Sequence, residues 1–231
     1  ITRVNHGTIK NIQLTDVHVS GSSITISGGV VGVNKNTVTN STVTNLSISN
    51  PYPNTQSGGI AAHNEGEIKY STISDSTVIG TYITGGIAST SQGTVLDCAT
   101  EQLFVQGTRL VGGLIGNAQT EDSCVKNCTV NNGIVNGIGT VGGAIGQASG
   151  SIYFTKTDAK VTGKSDIGGF CGNIDNANIE SCFCSGVVQG SGFAAKCVRS
   201  SIKKSYTLHT ITTETPYGKF IKSASDSKLE D

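Results

Sequence analysis

Apolar and polar side chains alternate in short runs along almost the whole chain. Residues 22–27 and 45–49 carry an apolar side chain at every second position, which is the period of a half-buried β-strand. Turn-forming pairs such as Asn50-Pro51 and Asn136-Gly137 separate these runs. Helical periodicity is nearly absent, because Gly, Ser, Thr, Asn and β-branched residues dominate. The pattern predicts an all-β chain built from short strands.

A double glycine followed by small or apolar residues recurs at intervals of 26 to 30 residues. A period of this length is typical of solenoids. The pairs that we predict to be structural are Gly28 and Gly29, Gly58 and Gly59, Gly85 and Gly86, Gly112 and Gly113, Gly142 and Gly143, and Gly168 and Gly169; a degenerate copy is Ser191-Gly192. The alignment predicts eight coils that begin near Ile1, Val30, Ile60, Ile87, Leu114, Ala144, Phe170 and Phe193.

A coil of 24 to 30 residues with about three short strands fits a parallel β-helix, in which equivalent positions of successive coils form columns about 4.8 Å apart. One predicted inward column is Ile12, Ser41, Ser71, Cys98, Cys128, Thr155, Cys182 and Ser205, and a second is Leu14, Val43, Ile73, Thr100, Val130, Thr157, Cys184 and Thr207. The glycine pairs either adopt φ > 0 at a corner or let two walls approach closely, and both alternatives stay open.

The string Val111-Gly112-Gly113-Leu114-Ile115-Gly116, followed by Val125-Lys126-Asn127-Cys128 and by a second copy at 141–146, resembles the GLUG repeat. The resemblance extends from Ile1 to about Thr213, although Ala62, Ser89 and Ala195 replace the last glycine of three copies. GLUG repeats occur in large secreted or surface proteins, including adhesin-like proteins and the non-catalytic region of immunoglobulin A1-cleaving metalloproteases. The resemblance therefore implies an extracellular or cell-surface location, and it brings no catalytic residues.

The fold class that we predict is a single-stranded, right-handed parallel β-helix of about eight coils, with the handedness expected from parallel crossovers and from the family. We expect the β-helix to span 1–214 and a C-terminal extension to span 215–231. Residues 215–221 are compatible with packing on the last coil, whereas the polar residues 222–231 are predicted to be a tail. Because Ile1 lies just after the position of a missing glycine pair, the chain is expected to be cut from, or to abut, something longer.

Composition narrows the possible functions. Of 231 residues 35% are hydrophobic and 5% aromatic, which favours a thin core of small and β-branched side chains. The 16 basic and 16 acidic residues give zero net charge, so no electrostatic footprint for nucleic acid or an anionic membrane is present. No stretch of 18 apolar residues that could form a membrane-spanning helix occurs. We therefore predict neither a nucleic-acid partner nor membrane insertion.

Seven cysteines are the first candidates for chemistry. Cys98, Cys128 and Cys182 fall in one inward column and match the GLUG cysteine position, so they are predicted to be small buried structural residues. The four histidines are scattered over different coils, which disfavours a zinc site. A disulfide remains open, and Cys98–Cys128 is the best pair by register.

Carboxylates are the second candidates, because many parallel β-helices act on polysaccharides and need clustered acids for that chemistry. Glu101 and Asp158 fall in one outward column, two coils and roughly 9–10 Å apart. Asn131 lies between them, and no aromatic platform is recognised nearby. We predict surface charge rather than catalysis, and no catalytic, cofactor-binding or metal-binding residue.

The function predicted from sequence is a non-enzymatic extracellular β-solenoid with a structural or adhesive role, acting as a stalk segment or stacking end to end as a filament subunit. Its expected partners are a second copy or an adjoining β-helix at the coil ends, and host or matrix glycans or proteins. Two alternatives remain: a carbohydrate-active or glycan-binding β-helix, and a non-catalytic fragment of a large secreted protease.

Overall fold

The computed structural model of the chain describes residues 2–20, 25–211 and 220–230. These residues form an all-β solenoid of about eight coils whose strand pairings are parallel. The predicted all-β parallel β-helix of about eight coils is therefore confirmed. The predicted coil start at Ile1, the first part of the alternating run 22–27 and the domain boundary at 214 lie outside the described residues.

Three parallel sheets form the walls of the solenoid, and we call them faces A, B and C. Face A has 16 strands. Most coils contribute two of them, and the bounds are Thr2–Asn5, Thr8–Lys10, Val31–Asn34, Thr37–Thr39, Ala61–Asn64, Glu67–Lys69, Ala88–Ser91, Thr94–Leu96, Ile115–Ala118, Cys124–Lys126, Ile145–Tyr153, Cys171–Glu180, Ala194–Val198, Ser201–Lys203, Ile221–Ser225 and Lys228–Glu230.

Face B follows face A along each coil and has 14 strands. Their bounds are Gln13–Thr15, His18–Ser20, Thr42–Thr44, Ser47–Ser49, Thr72–Ser74, Thr77–Ile79, Ala99–Glu101, Phe104–Gln106, Thr129–Asn131, Ile134–Asn136, Lys156–Thr157, Lys160–Thr162, Phe183–Val188 and Tyr206–Ile211. Face C closes the coil with six strands, Ile26–Gly28, Gln56–Gly58, Ile83–Gly85, Leu110–Gly112, Thr140–Gly142 and Asp166–Gly168.

The early coils thus contain five short strands rather than the predicted three. Residues in the left-handed conformation interrupt the alternating runs: Asn40 (φ 49°) ends a strand of face A, and Asn45 (φ 53°) divides face B into two strands. Short polar Asn and Asp side chains tolerate this conformation best. Such residues recur at the corner between faces A and B, namely Asn11, Asn40, Tyr70, Asp97, Asn127, Phe154, Ser181 and Lys204.

The interior is a continuous stack of in-register columns. The second predicted inward column is confirmed by pairings such as Val43 with Ile73 and Thr100 with Val130. A further column begins every coil at the corner between faces C and A and runs through Val30, Ile60, Ile87, Leu114, Ala144, Phe170, Phe193 and Phe220, linked by coil-to-coil backbone hydrogen bonds. Thin, unbroken columns let a chain with few aromatic residues bury a core.

A buried amide ladder also lies inside the first coils. Asn5 donates through Nδ2 to Oδ1 of Asn34 (2.8 Å), and Asn34 donates in the same way to Asn64 (2.8 Å). Asn64 then donates to Oγ of Ser91 (3.1 Å). Further along this column the residues are Ala118 and Ala148, which have no polar side-chain atom to satisfy. The ladder satisfies polar groups that would otherwise be costly to bury.

The expectation that the polar residues after Ile221 form a tail was wrong for residues 222–230, whereas Phe220 and Ile221 pack on the preceding coil as expected. Ile221–Ser225 pairs with Ala194–Val198, and Lys228–Glu230 pairs with Ser201–Lys203, so both strands extend face A. The reason is physical: ladder hydrogen bonds use backbone groups, so exposed polar side chains do not prevent a strand from joining the sheet.

Candidate functional surface

The six predicted glycine pairs lie at the corner between faces C and A, where each coil begins. None has a positive φ among the described residues, so the first alternative for these pairs is wrong. A Cβ at Gly28 would lie closer than 3.0 Å to the carbonyl oxygen of Val31 in its own coil, and one at Gly29 would lie closer than 3.0 Å to the carbonyl of Gly59 in the next. The same two clashes recur at the other pairs. The close approach of neighbouring backbone segments therefore explains why glycine occupies these positions.

Cys98, Cys128 and Cys182 lie at the corner between faces A and B, and each is at most 2% exposed. Each Sγ donates across the turn to the carbonyl oxygen two residues earlier: Cys98 to Leu96 (3.2 Å), Cys128 to Lys126 (3.2 Å) and Cys182 to Glu180 (3.4 Å). Hydroxyl groups make the same bond at Ser41, Ser71, Thr155 and Ser205. From Ser41 to Ser205 every residue of the column is thus a small donor to this carbonyl, which explains why Ser, Thr and Cys replace one another there, whereas Ile12 in the first coil has no such group.

All seven cysteines are thiols in this structure, and burial makes most of them poor nucleophiles. Burial raises the pKa of Cys182 and of Cys184 to about 12. A hydrogen bond with Cys98, together with burial, raises the pKa of Cys128 well above its usual range. The thiolate is the reactive form, so these groups are inert near neutral pH.

Glu101 and Asp158, the carboxylates singled out from the sequence, line one groove of about 460 Å³ on face B. Its other lining residues are Ser74, Asp75, Gln102, Asn131 and Asn132. Asn131 pairs with Glu101 in register, and the backbone N–H of Asn132 donates to Oδ1 of Asp158 (2.5 Å). The structure thus brings the two carboxylates to one surface, with amide side chains between them.

A second groove, of about 170 Å³, shares Asn131 and Asp158 with the first and ends at Phe183 and Ser185. The Phe183 ring packs on Tyr206 of the next coil with centroids 4.7 Å apart. The sequence-based expectation that aromatic platforms are lacking near the carboxylates was therefore wrong. The signal was present, because Phe183 and Tyr206 follow one another in the outward column adjacent to that of Asp158.

A third groove, of about 630 Å³, runs along the corner between faces B and C. In-register amides and hydroxyls of Gln106, Asn136 and Thr162 line one side, and Thr108 and Ile138 lie among its other lining residues. Among the described residues, no aromatic side chain lines it.

Metal-binding arrangements are not found among residues 2–20, 25–211 and 220–230, where no three His, Cys, Asp or Glu side chains converge. His63 instead lies on face A and shares a hydrogen bond of 2.6 Å between Nδ1 and Oγ1 of Thr90. Burial lowers the pKa of His63, partly offset by the charge of Glu65. In the same described part of the chain, no helix has the length and apolar character needed to span a bilayer.

Comparison with known proteins gives a similarity in fold to a solved structure. No family model matches the sequence, and no curated protein matches it. A crystal structure of a candidate immunoglobulin A1 protease from Bacteroides ovatus is similar to this fold with a TM-score of 0.60 and 17% sequence identity. The alignment covers 97% of this chain and 66% of that protein, so this chain spans slightly less than two thirds of its length. At this identity the similarity concerns the β-solenoid fold, and the GLUG resemblance stays a prediction.

Proposed function

We propose that this chain is a non-catalytic β-solenoid segment that spaces and presents binding surfaces in a larger secreted or surface protein. One observation carries the proposal: parallel ladders connect successive coils through faces A and B of the described residues, with one register shift in face A between Ala148 and Gly150. At about 4.8 Å per coil, eight coils give a rod of about 38 Å. Because each coil is held to its neighbours along its perimeter, the rod is stiff and its outward columns keep fixed spacings.

The extracellular location is part of this proposal, and two observations support it. The GLUG-like repeat resembles those of exported proteins, and the Bacteroides ovatus protein with the same fold is described as a candidate immunoglobulin A1 protease. A role as the non-catalytic region of a large protease is one form of the proposal. Limited proteolysis and small-angle scattering should show a resistant, elongated particle; a globular or readily cleaved chain would contradict it.

A catalytic role is the second candidate, since Glu101 and Asp158 line the same groove. The test is the release of reducing ends from a panel of polysaccharides, and the cleavage of immunoglobulin A1, by wild-type protein and by the Glu101→Gln/Asp158→Asn double variant. We expect neither protein to have activity. Activity that the wild type shows and the double variant lacks would establish an enzyme and overturn the non-catalytic role.

Association through the ends of the rod is a finer version of the proposal. Within the described ranges, the face A strands at either end of the rod are paired with one neighbouring coil only. These strands are Thr2–Asn5 and Thr8–Lys10 at one end, and Ile221–Ser225 and Lys228–Glu230 at the other. Strand edges of this kind can pair with another β-segment. Light scattering over a concentration series tests self-association, and a constant monomer mass would remove the filament form while leaving the spacer role intact.

A further inference from the structure

The two grooves of face B that share Asn131 and Asp158 form one continuous furrow, which we call the face B furrow. It extends from Ser74 to Ser185 through the rungs of Glu101, Asn131 and Asp158. These five positions belong to consecutive coils, so the furrow is about 19 Å long at the spacing of parallel strands. A surface of this shape suits an extended ligand that lies along the solenoid axis.

Side-chain chemistry in the furrow suits hydroxyl groups. The amides of Gln102, Asn131 and Asn132 each offer both donors and an acceptor, and carboxylates add acceptors. A sugar hydroxyl also donates and accepts. The lining residues include three carboxylates, those of Asp75, Glu101 and Asp158, and one ammonium group, that of Lys156. This charge balance disfavours uronic acid, sulfated or phosphate-bearing polymers.

An exposed apolar surface lies at the end of the furrow. Tyr206 is 59% exposed although it packs on Phe183, and Leu208 is 69% exposed. Both belong to outward columns, since Tyr206 pairs with Phe183 and Leu208 with Ser185. Additional coils would stack along the axis and would not cover outward-facing rings. Contiguous exposed apolar side chains that are rimmed by polar residues are typical of a binding surface.

We propose that the face B furrow binds an extended, uncharged glycan, whose sugar C–H faces pack on Tyr206 and Phe183 while Asn131 and its neighbours bond the hydroxyls. Aromatic rings with exposed faces provide this kind of apolar contact next to polar groups. A peptide is disfavoured because strands such as Ala99–Glu101 and Thr129–Asn131 are paired on both sides, which leaves no edge for strand addition. The inference rests on the proposed role of the solenoid as a presenting surface.

The test is a glycan array of neutral, amino-sugar and acidic glycans, followed by calorimetric titration of the best neutral oligosaccharide. Tyr206→Ala should weaken binding by about ten-fold or more, as expected when an aromatic anchor is truncated. Tyr70→Ala is the matched control, since Tyr70 is 54% exposed but lies at the corner between faces A and B. Tyr70→Ala should bind the oligosaccharide with the affinity of the wild type. Circular dichroism should show that both variants are folded like the wild type.

A second variant separates the polar part of the furrow from the aromatic part. Asn131→Ala removes an amide from the centre of the furrow and should also weaken binding, whereas polygalacturonate should not bind any of the proteins. The proposal is overturned if the folded wild type binds no neutral glycan, or binds one with an affinity that Tyr206→Ala and Asn131→Ala leave unchanged. The proposal would equally be overturned if the solenoid bound only a protein ligand whose glycans had been removed enzymatically. None of these results would alter the rod dimensions that test the proposed function.

Discussion

The ring of Phe193 lies 4.7 Å from that of Phe220, with an angle of 20° between their planes. Phe193 also stacks on Phe170 at 4.7 Å and 13°, so the three rings continue one core column into the last described strands. This contact ties residues that look polar and tail-like to the body of the solenoid. It also places the largest buried side chains near the C-terminal end of the core.

Truncation of this stack should be costly. Phe193→Ala removes a fully buried ring and its stacking contacts with Phe170 and Phe220, so we expect the free energy of unfolding to fall by about 3–5 kcal/mol. Chemical denaturation measures this change. Phe154→Ala, at a ring that is 55% exposed, is the control and should change stability by less than about 1 kcal/mol. Equal effects of the two variants would mean that the stack does not form.

The glycine pairs should tolerate no side chain. A Cβ at Gly113 would collide with the Gly143 carbonyl and approach Val130 to 3.1 Å, so Gly113→Ala should destabilise the protein by about 2 kcal/mol or more. Gly7→Ala is the control, because the space around Gly7 is open within 4 Å. Thermal melting compares them, and similar melting temperatures would refute the close-approach explanation.

The buried amide ladder makes a prediction of its own. Asn34→Ala leaves Nδ2 of Asn5 and Oδ1 of Asn64 without their partner, so stability should fall by about 2–4 kcal/mol. Asn36→Ala, at a residue with an exposed bond to the carbonyl of His6, should change it by about 0.5 kcal/mol or less. Urea unfolding distinguishes the two, and a neutral Asn34→Ala variant would contradict the ladder.

His63 should make the solenoid sensitive to acid. Because burial lowers its pKa below the ordinary histidine value of 6.5, the unfolded chain binds this proton more readily than the folded one. Above pH 6.5 the imidazole is neutral in both the folded and the unfolded chain, so its contribution to stability is fully present there. This contribution is lost as pH falls from 6.5 toward the lower folded pKa, because the unfolded chain then takes up the proton first. His63→Gln should flatten that part of the stability curve. Parallel curves for wild type and variant would exclude this role.

The cysteines should differ sharply in reactivity. Burial raises the pKa of Cys182 and Cys184 to about 12, so iodoacetamide at pH 8 should leave both unmodified in the folded protein. Cys124 is only half-buried and should be alkylated first. Mass spectrometry of peptides reads out the order, with guanidinium-unfolded protein as the fully reactive reference. Modification of Cys182 before Cys124 would show that the core opens readily.

The sequence by itself determined the repeat, the length of each coil and the positions that point inward. Gly28-Gly29 and its copies set the coil length, and alternation such as that of Thr42-Val43-Thr44 set the inward positions, because both depend on neighbours along the chain and on a fixed period. Even the column containing Cys98 could be aligned in this way. The reason for its composition, a donor to the carbonyl two residues back, needed the left-handed turn at Asp97.

Only the tertiary structure decided which surfaces of neighbouring coils combine. Glu101 and Asp158 could be placed in one column from sequence, but their inclusion in a furrow that ends at Phe183 and Tyr206 depends on how the corners bend. The inclusion of residues 220–230 in the solenoid likewise depends on backbone pairing with face A and on the ring contact between Phe193 and Phe220. Local pattern specifies the coil, whereas contacts between residues far apart in the chain specify the surface that the stacked coils present.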